Sequence, residues 1–143
     1  MIDIINGNVT INDISLYSGM KKEDFISKYS KKIDKIIDNG VFQIFRLFKQ
    51  NYNNYLLSIG VEFENFIIKQ ISISPLVGDE ENFWDNWSEE RELKRLKLYE
   101  KFMEKEISKS LQKGRLFFDW GNIYVAYDSK SATVLSGINY KYD

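Results

Sequence analysis

The segment from Tyr55 to Glu64 constrains the fold of this 143-residue chain more than any other part of the sequence. Its residues alternate with a period of two, so that apolar and polar or small side chains fall on opposite faces of an extended chain. Such alternation is typical of a strand with one face on a core and the other on solvent. The segment therefore predicts a sheet covered on one side, with the core face formed by Tyr55, Leu57, Ile59, Val61 and Phe63.

The flanking segments predict partners for this strand. A turn at Glu64-Asn65 leads into a second extended run, Phe66 to Ser74, which Pro75 ends because proline cannot donate to a ladder. Upstream, Val41 to Phe48 is apolar on both faces, which favours a central strand covered on both sides. Together the three segments predict an antiparallel meander.

A long amphipathic helix is predicted from about Trp87 to Gln112, because apolar residues recur there at intervals of three and four. Asn86 with Glu89 resembles a capping box, and lysines precede Gly114 at the expected end. The apolar stripe consists of Leu93, Leu96, Tyr99, Met103, Ile107 and Leu111.

The other predicted elements are a helix at Lys21 to about Ser30, a hairpin around Asn6-Gly7, and a closing strand pair at Arg115 to Tyr127 and Thr133 to Tyr140. Gly121 marks a bulge or break in that pair. Local connections of this kind favour an α+β fold with an antiparallel sheet of about five to seven strands and two helices packed on one face. We expect a single domain covering residues 1–143.

Composition narrows the possible chemistry. The chain has no cysteine and no histidine, which excludes Ser-His-Asp and Cys-His catalysis and zinc sites built on thiolate or imidazole. No glycine-rich phosphate loop occurs. We expect a non-enzymatic protein with no cofactor and no bound metal, and we assign no catalytic residue.

Charge and hydropathy bear on partners and location. The formal charge of -1 gives no overall field that attracts nucleic acid or anionic lipid. No apolar run is long enough to span a bilayer, and the first residues lack the pattern of a signal peptide. We expect a cytoplasmic protein that binds neither nucleic acid nor membrane, while the oligomeric state stays open.

An acidic, aromatic junction at residues 79–90 is the strongest candidate for a contact surface. Trp side chains anchor protein interfaces, and carboxylates steer a basic partner toward them. The same residues also suit a structural purpose, in which the tryptophans attach the helix to the sheet and the acids complement the helix dipole. The candidate partner-binding residues are Asp79, Glu80, Glu81, Trp84, Asp85, Trp87, Glu89 and Glu90.

Two weaker clusters have mainly structural interpretations. Asp119 and Asp128 could share a divalent cation or acid-base duties, but Asp128 also suits a turn. Lysines at 28, 31, 32 and 35 form a basic cluster that is typical of the solvated side of a helix end or strand.

The pattern from Trp84 to Glu92, the segment Asp119 to Ile123 and the pair Tyr127-Asp128 resemble small bacterial proteins. Some of these look like immunity partners of polymorphic or contact-dependent toxins. The resemblance implies a cytoplasmic protein that binds and neutralises a cognate toxin domain, often by covering a basic nuclease site with acidic residues. Two alternatives stay open, namely a general interaction or assembly module that uses a sheet edge or face, and a carboxylate-based enzyme.

Overall fold

The computed structural model describes residues 1–76 and 88–142. Two helices and ten strands occur in that part of the chain, which confirms the α+β class. In chain order they are β1 (Val9–Ile11), β2 (Ile14–Leu16), α1 (Lys22–Tyr29), β3 (Ile33–Asp38), β4 (Phe42–Leu47), β5 (Gln50–Tyr52), β6 (Tyr55–Glu64), β7 (Ile67–Leu76), α2 (Glu89–Ile107), β8 (Arg115–Phe118), β9 (Gly121–Asp128) and β10 (Thr133–Tyr140).

The main sheet has eight strands, one more than the upper expectation. Seven of them follow the order β3-β4-β6-β7-β10-β9-β8, and β5 pairs with β6 beyond the end of β4. All strand pairs in the described part are antiparallel, and the predicted meander is present as β4-β6-β7. The two strands β1 and β2 form a separate small sheet.

Both helices lie on the same face of the main sheet. The ring of Phe25 on α1 packs 5.2 Å from that of Phe63, and the ring of Phe102 on α2 packs 5.0 Å from that of Tyr55. Phe63 and Tyr55 belong to the predicted core set of β6, whose members alternate with residues on the face turned away from the helices. The opposite face, called the outer face below, carries no helix of the described part. The predicted one-sided sheet is confirmed.

Strand β4 departs from its prediction. Phe45 and Leu47 are buried in the core, but Arg46 between them is exposed on the outer face. The apolar residues on both parities therefore do not indicate burial on both sides, because the helices cover only one.

Helix α2 is shorter than its prediction at both ends. Ser88 is the N-cap, and its hydroxyl accepts a hydrogen bond from the backbone N–H of Arg91 at 3.1 Å, so the expected cap at Asn86 is wrong. The helix ends at Ile107 because Ser108 takes a left-handed conformation, φ 55°. Tyr99, Met103 and Ile107 are buried and Leu96 is half-buried, whereas Leu93 is exposed and lies outside the core.

The Asn6-Gly7 turn is present, but it does not join two regular strands. It places Ile2 against Val9 in a single bridge, and the regular hairpin β1-β2 follows around Asn12. Gly7 is required here, because its φ is +78° and a Cβ would lie 2.6 Å from the indole of Trp120. The turn thereby attaches the start of the chain to the end of the sheet.

Candidate binding surfaces

Most of the acidic junction lies outside the described residues. This applies to Asp79, Glu80, Glu81, Trp84, Asp85 and Trp87. Glu89 and Glu90 lie in the first turn of α2 and are exposed, and Glu90 forms an ion pair with Lys94 at 3.4 Å. Acids in a first helical turn favour the helix dipole, and exposed acids also steer a basic partner. The two described residues therefore fit both interpretations of the junction.

The structure does not bring Asp119 and Asp128 together. Asp119 lies two residues before β9 and Asp128 is its last residue, so the length of the strand, roughly 23 Å at about 3.3 Å per residue, separates them. The side chain of Asp128 instead accepts hydrogen bonds from Ser131 Oγ at 2.7 Å and from the backbone N–H of Lys130 at 3.2 Å. These bonds lower the pKa of Asp128, and they identify it as a turn residue.

A surface that the sequence reasoning missed lies at the β6-β7 turn. Asn65 and Phe66 form this two-residue turn with φ values of 54° and 66°. Positive φ at both positions is the type I′ pattern, in which glycine is normal at the second position. A bulky aromatic residue in that position is a conformational outlier. Phe66 is also 70% exposed, so the core does not account for it.

The backbone around Phe66 is held in place by neighbouring segments. The N–H of Lys22 donates to the carbonyl of Phe66 at 2.8 Å, and the N–H of Ile68 donates to the carbonyl of Met20 at 2.9 Å. Lys21 and Ile67 form an isolated bridge between the same two segments. The Nζ of Lys22 lies 4.7 Å from the ring centroid of Phe66, which is a cation-π contact.

A groove of about 560 Å³ adjoins the Phe66 ring. Two exposed aliphatic residues line it, Ile26 from α1 and Ile67 from β7. Lys21, Lys22 and Glu23 complete its rim, together with Asn65. We call this groove with the Phe66 ring the Phe66 surface. It joins an exposed aromatic anchor to an apolar recess, a combination that is common at protein interfaces.

The outer face of the sheet carries an ordered polar network. Gln70 Nε2 donates to the hydroxyl of Tyr124 at 2.6 Å, and burial raises the pKa of Tyr124 to about 12. A trough of about 230 Å³ beside this network is lined by serines, Gly60 and Glu62. Desolvation raises the pKa of the half-buried Glu62, and the nearby charge of Glu64 adds to this. Hydrogen bonds within this network satisfy polar side chains on the outer face, which no helix of the described part covers.

The two edges of the main sheet are poorly suited to pairing with another strand. Edge strand β3 carries Asp34, Lys35 and Asp38, all exposed, and its register shifts between Ile33 and Lys35. The opposite edge, β8, has only four residues. Charges, irregular register and short length are the devices by which natural sheets prevent edge-to-edge association.

The described residues contain no group of three or more side chains of the type that holds a metal ion. Among the same residues, no helix is long and apolar enough to cross a membrane. Comparisons of the chain with protein-family models, curated proteins and solved structures give no match.

Proposed function

We propose that this chain is a non-enzymatic protein-binding protein that uses the Phe66 surface as its principal contact. The form that we favour is an immunity or inhibitor protein that neutralises a bacterial toxin domain. One observation carries the proposal, namely an aromatic side chain that is 70% exposed in a left-handed turn position.

The conformational free energy that Phe66 costs in its left-handed position supports a role in binding rather than in stability. A left-handed conformation costs a residue other than glycine about 1–2 kcal/mol. Phe66 gains little packing in return, because most of its ring faces solvent. Strain of this type is concentrated at functional sites, where it positions a group for binding.

The rigidity of the turn supports binding as the role. The backbone bonds from the Met20 to Lys22 segment fix the Phe66 carbonyl and the following strand before any partner arrives. A contact that is already ordered loses less conformational entropy on association than a mobile loop does. Aromatic residues, phenylalanine among them, are also enriched at protein interfaces relative to the rest of the surface.

The toxin-neutralising form rests on the sequence resemblance and on the acidic junction. Glu89 and Glu90 are exposed at the start of α2 and can add to a negative field around residues 79–90. In this proposal the junction accelerates encounter with a basic toxin domain, and the Phe66 surface determines how long the complex lasts.

The sheet edges favour this proposal over strand addition by an assembly module. An added strand needs a regular and accessible edge, whereas β3 presents charges and a register shift. A contact through the hairpin tip leaves both edges unpaired.

An immunity protein is expected to be encoded directly downstream of its toxin, so the test reads the upstream gene and uses the C-terminal domain of the secreted protein that the proposal expects there. Co-expression is expected to rescue growth, and the two proteins are expected to purify together. Phe66→Ala should shorten the residence time of the complex by about 30-fold or more, the effect of removing a hot spot worth 2 kcal/mol or more.

Phe117→Ala is the matched control, because Phe117 is 75% exposed and removing its ring changes surface area to a similar extent. This control should retain the wild-type residence time. If the upstream domain neither binds the chain nor is neutralised by it, the toxin-neutralising form is wrong. If it binds and Phe66→Ala leaves the residence time unchanged, the assigned surface is wrong.

A further inference from the structure

A second groove, of about 590 Å³, lies where strands β7 to β10 meet the end of the chain. We call it the Phe117 groove. Its volume falls in the range of roughly 300–1,000 Å³ that is common for small-molecule sites. The side chains available to a ligand are two exposed aromatic rings, two ammonium groups and two amides, namely Phe117, Tyr142, Lys69, Lys141, Asn122 and Asn139.

The two rings are accessible, and their neighbours orient them. Phe117 is 75% exposed, and the guanidinium of Arg115 lies 6.0 Å from its ring centroid. Tyr142 is 41% exposed, while its hydroxyl donates to the carbonyl of Ile68 and accepts from the N–H of Gly19 at 3.1 Å. Accessible rings in fixed positions can serve as stacking platforms for a planar heterocycle.

The two amides lie side by side on paired strands and keep one donor and one acceptor unused. Asn122 Oδ1 accepts from Arg115 Nη1 at 3.0 Å and from Asn139 Nδ2 at 3.4 Å. Within the described part of the chain, Asn122 Nδ2 and Asn139 Oδ1 have no hydrogen-bond partner. An adjacent donor and acceptor are what the edge of a nucleobase requires.

The charge of the groove is positive. Lys69 and Lys141 line it, and no carboxylate occurs among the described lining residues. The charge of Lys69 offsets a small part of the rise in the pKa of Glu62, but these two residues form no ion pair in the described part. The Nζ of Lys69 lies 6.0 Å from the ring centroid of Tyr142, so a cation and a platform are adjacent. The local charge differs from that of the whole chain, which is almost neutral.

We propose that the Phe117 groove binds a nucleotide, with the base on the aromatic rings and the Asn122-Asn139 pair, and the phosphate on Lys69 and Lys141. The proposal is independent of the protein-binding function. The expectation that the chain does not bind nucleic acid rested on its overall charge, and the local cluster considered with it was the one at lysines 28, 31, 32 and 35, which does not include Lys69 or Lys141. Without a glycine-rich loop, side-chain ammonium groups take the place of backbone N–H donors around the phosphate.

The experiment titrates the full chain by calorimetry with AMP, UMP, adenosine and inorganic phosphate, and separately with a short oligothymidylate. A mononucleotide should bind with a dissociation constant of about 1 mM or below and more tightly than adenosine or phosphate alone. Chemical-shift changes at the side-chain amides of Asn122 and Asn139 give a second readout that reports location.

Three variants assign the binding to the groove. Phe117→Leu should weaken AMP binding by about 5-fold or more, which is the lower range for losing one stacking platform. Lys141→Glu should weaken it by about tenfold and reduce its salt dependence. Phe66→Ala, with its change on the other surface, should leave the affinity unchanged. All substituted residues are exposed, and melting curves check that each variant is folded.

Two outcomes would overturn the proposal. One is the absence of saturation by both mononucleotides and the oligonucleotide up to about 10 mM. The other is binding that Phe117→Leu and Lys141→Glu leave unchanged, because the ligand then lies elsewhere. Saturation by the oligonucleotide alone would support recognition of a base and a phosphate in the groove. It would also show that the natural ligand is a single-stranded nucleic acid and not a free mononucleotide.

Discussion

Phe66 and Phe117 are the same residue type and are exposed to nearly the same extent, 70% and 75%. Their surroundings differ. Phe66 adjoins exposed Ile26 and Ile67, and Glu23 accompanies the two lysines at the rim of its groove. Phe117 adjoins two lysines and two asparagines, with no aliphatic side chain and no carboxylate among the described lining residues. We infer a protein contact at the first and a nucleotide at the second. Exposure of an aromatic ring indicates that a site is possible, and the neighbouring side chains indicate what it binds.

The backbone separates the two residues as clearly as their neighbours do. Phe117 is in the extended strand β8, where an aromatic residue is favoured. Phe66 is in a left-handed turn position that favours glycine. Keeping a phenylalanine at 66 therefore costs stability, while keeping one at 117 does not.

The largest effect on stability is expected from the same substitution at both positions. Phe117→Gly should lower the free energy of unfolding by about 1–2 kcal/mol, since it loses strand propensity and gains backbone entropy in the unfolded chain. Phe66→Gly removes the left-handed strain, which offsets the backbone entropy that glycine adds to the unfolded chain, so the free energy of unfolding should stay nearly constant. Denaturant melts should show free energies of unfolding that differ by about 1–2 kcal/mol between Phe117→Gly and Phe66→Gly.

Phe66→Asn is a useful control for this pair, because asparagine also tolerates the left-handed region. It should remain close to Phe66→Gly in stability. A gap below about 0.3 kcal/mol between the two glycine variants would show that the turn at Phe66 is not strained, and it would remove one support for the binding proposal.

A smaller effect is expected from the acidic junction. Reversing the charges of Asp79, Glu80, Glu81 and Glu90 should slow association with the partner about 3- to 10-fold at low salt, because rim charges act on the encounter rate. The dissociation rate should change little, in contrast to Phe66→Ala. Surface-plasmon kinetics at two salt concentrations, on folded variants, separate these effects. Unchanged association rates would show that the junction does not contact the partner, and only its structural interpretation would remain.

The smallest effect concerns Glu62, which lines the trough on the outer face. Desolvation raises its pKa above the usual 4.5, so the folded state binds a proton more tightly than the unfolded state does. The charged form therefore destabilises the fold at neutral pH, and stability is regained as the pH falls through the raised value. Glu62→Gln should raise the melting temperature slightly at pH 7. The difference should disappear near pH 4, and a difference independent of pH would exclude charge as its cause.

Much of the fold followed from local pattern. The period of two in β6 predicted a sheet with one covered face, and the contacts of Phe25 and Phe102 confirm it. The sequence could not show how α2 begins, because Ser88 and Asn86 are both suitable caps and tertiary packing selects one. Strand β3 was missed because its exposed Asp and Lys residues, which suit an edge, weaken the alternation that identifies an inner strand.

The candidate sites followed less well from the sequence. The Phe117 groove joins residues from β7 to the end of the chain, and only the strand order places them together. Phe66 had a local signal that was overlooked. The Asn65-Phe66 pair joins two strands where an Asn-Gly turn is normal, and the missing glycine indicates a side chain retained at a cost.

The most direct test of two separate sites measures both ligands on both variants. Phe66→Ala and Phe117→Leu are each titrated with the proposed toxin-domain partner and with AMP under the same conditions. Phe66→Ala should lose about 30-fold or more in residence time of the partner and retain its affinity for AMP. Phe117→Leu should lose about 5-fold or more in affinity for AMP and retain the partner kinetics. If one substitution weakens both ligands in a folded protein, or if neither substitution affects its assigned ligand, the assignment of two sites from their neighbouring residues is contradicted.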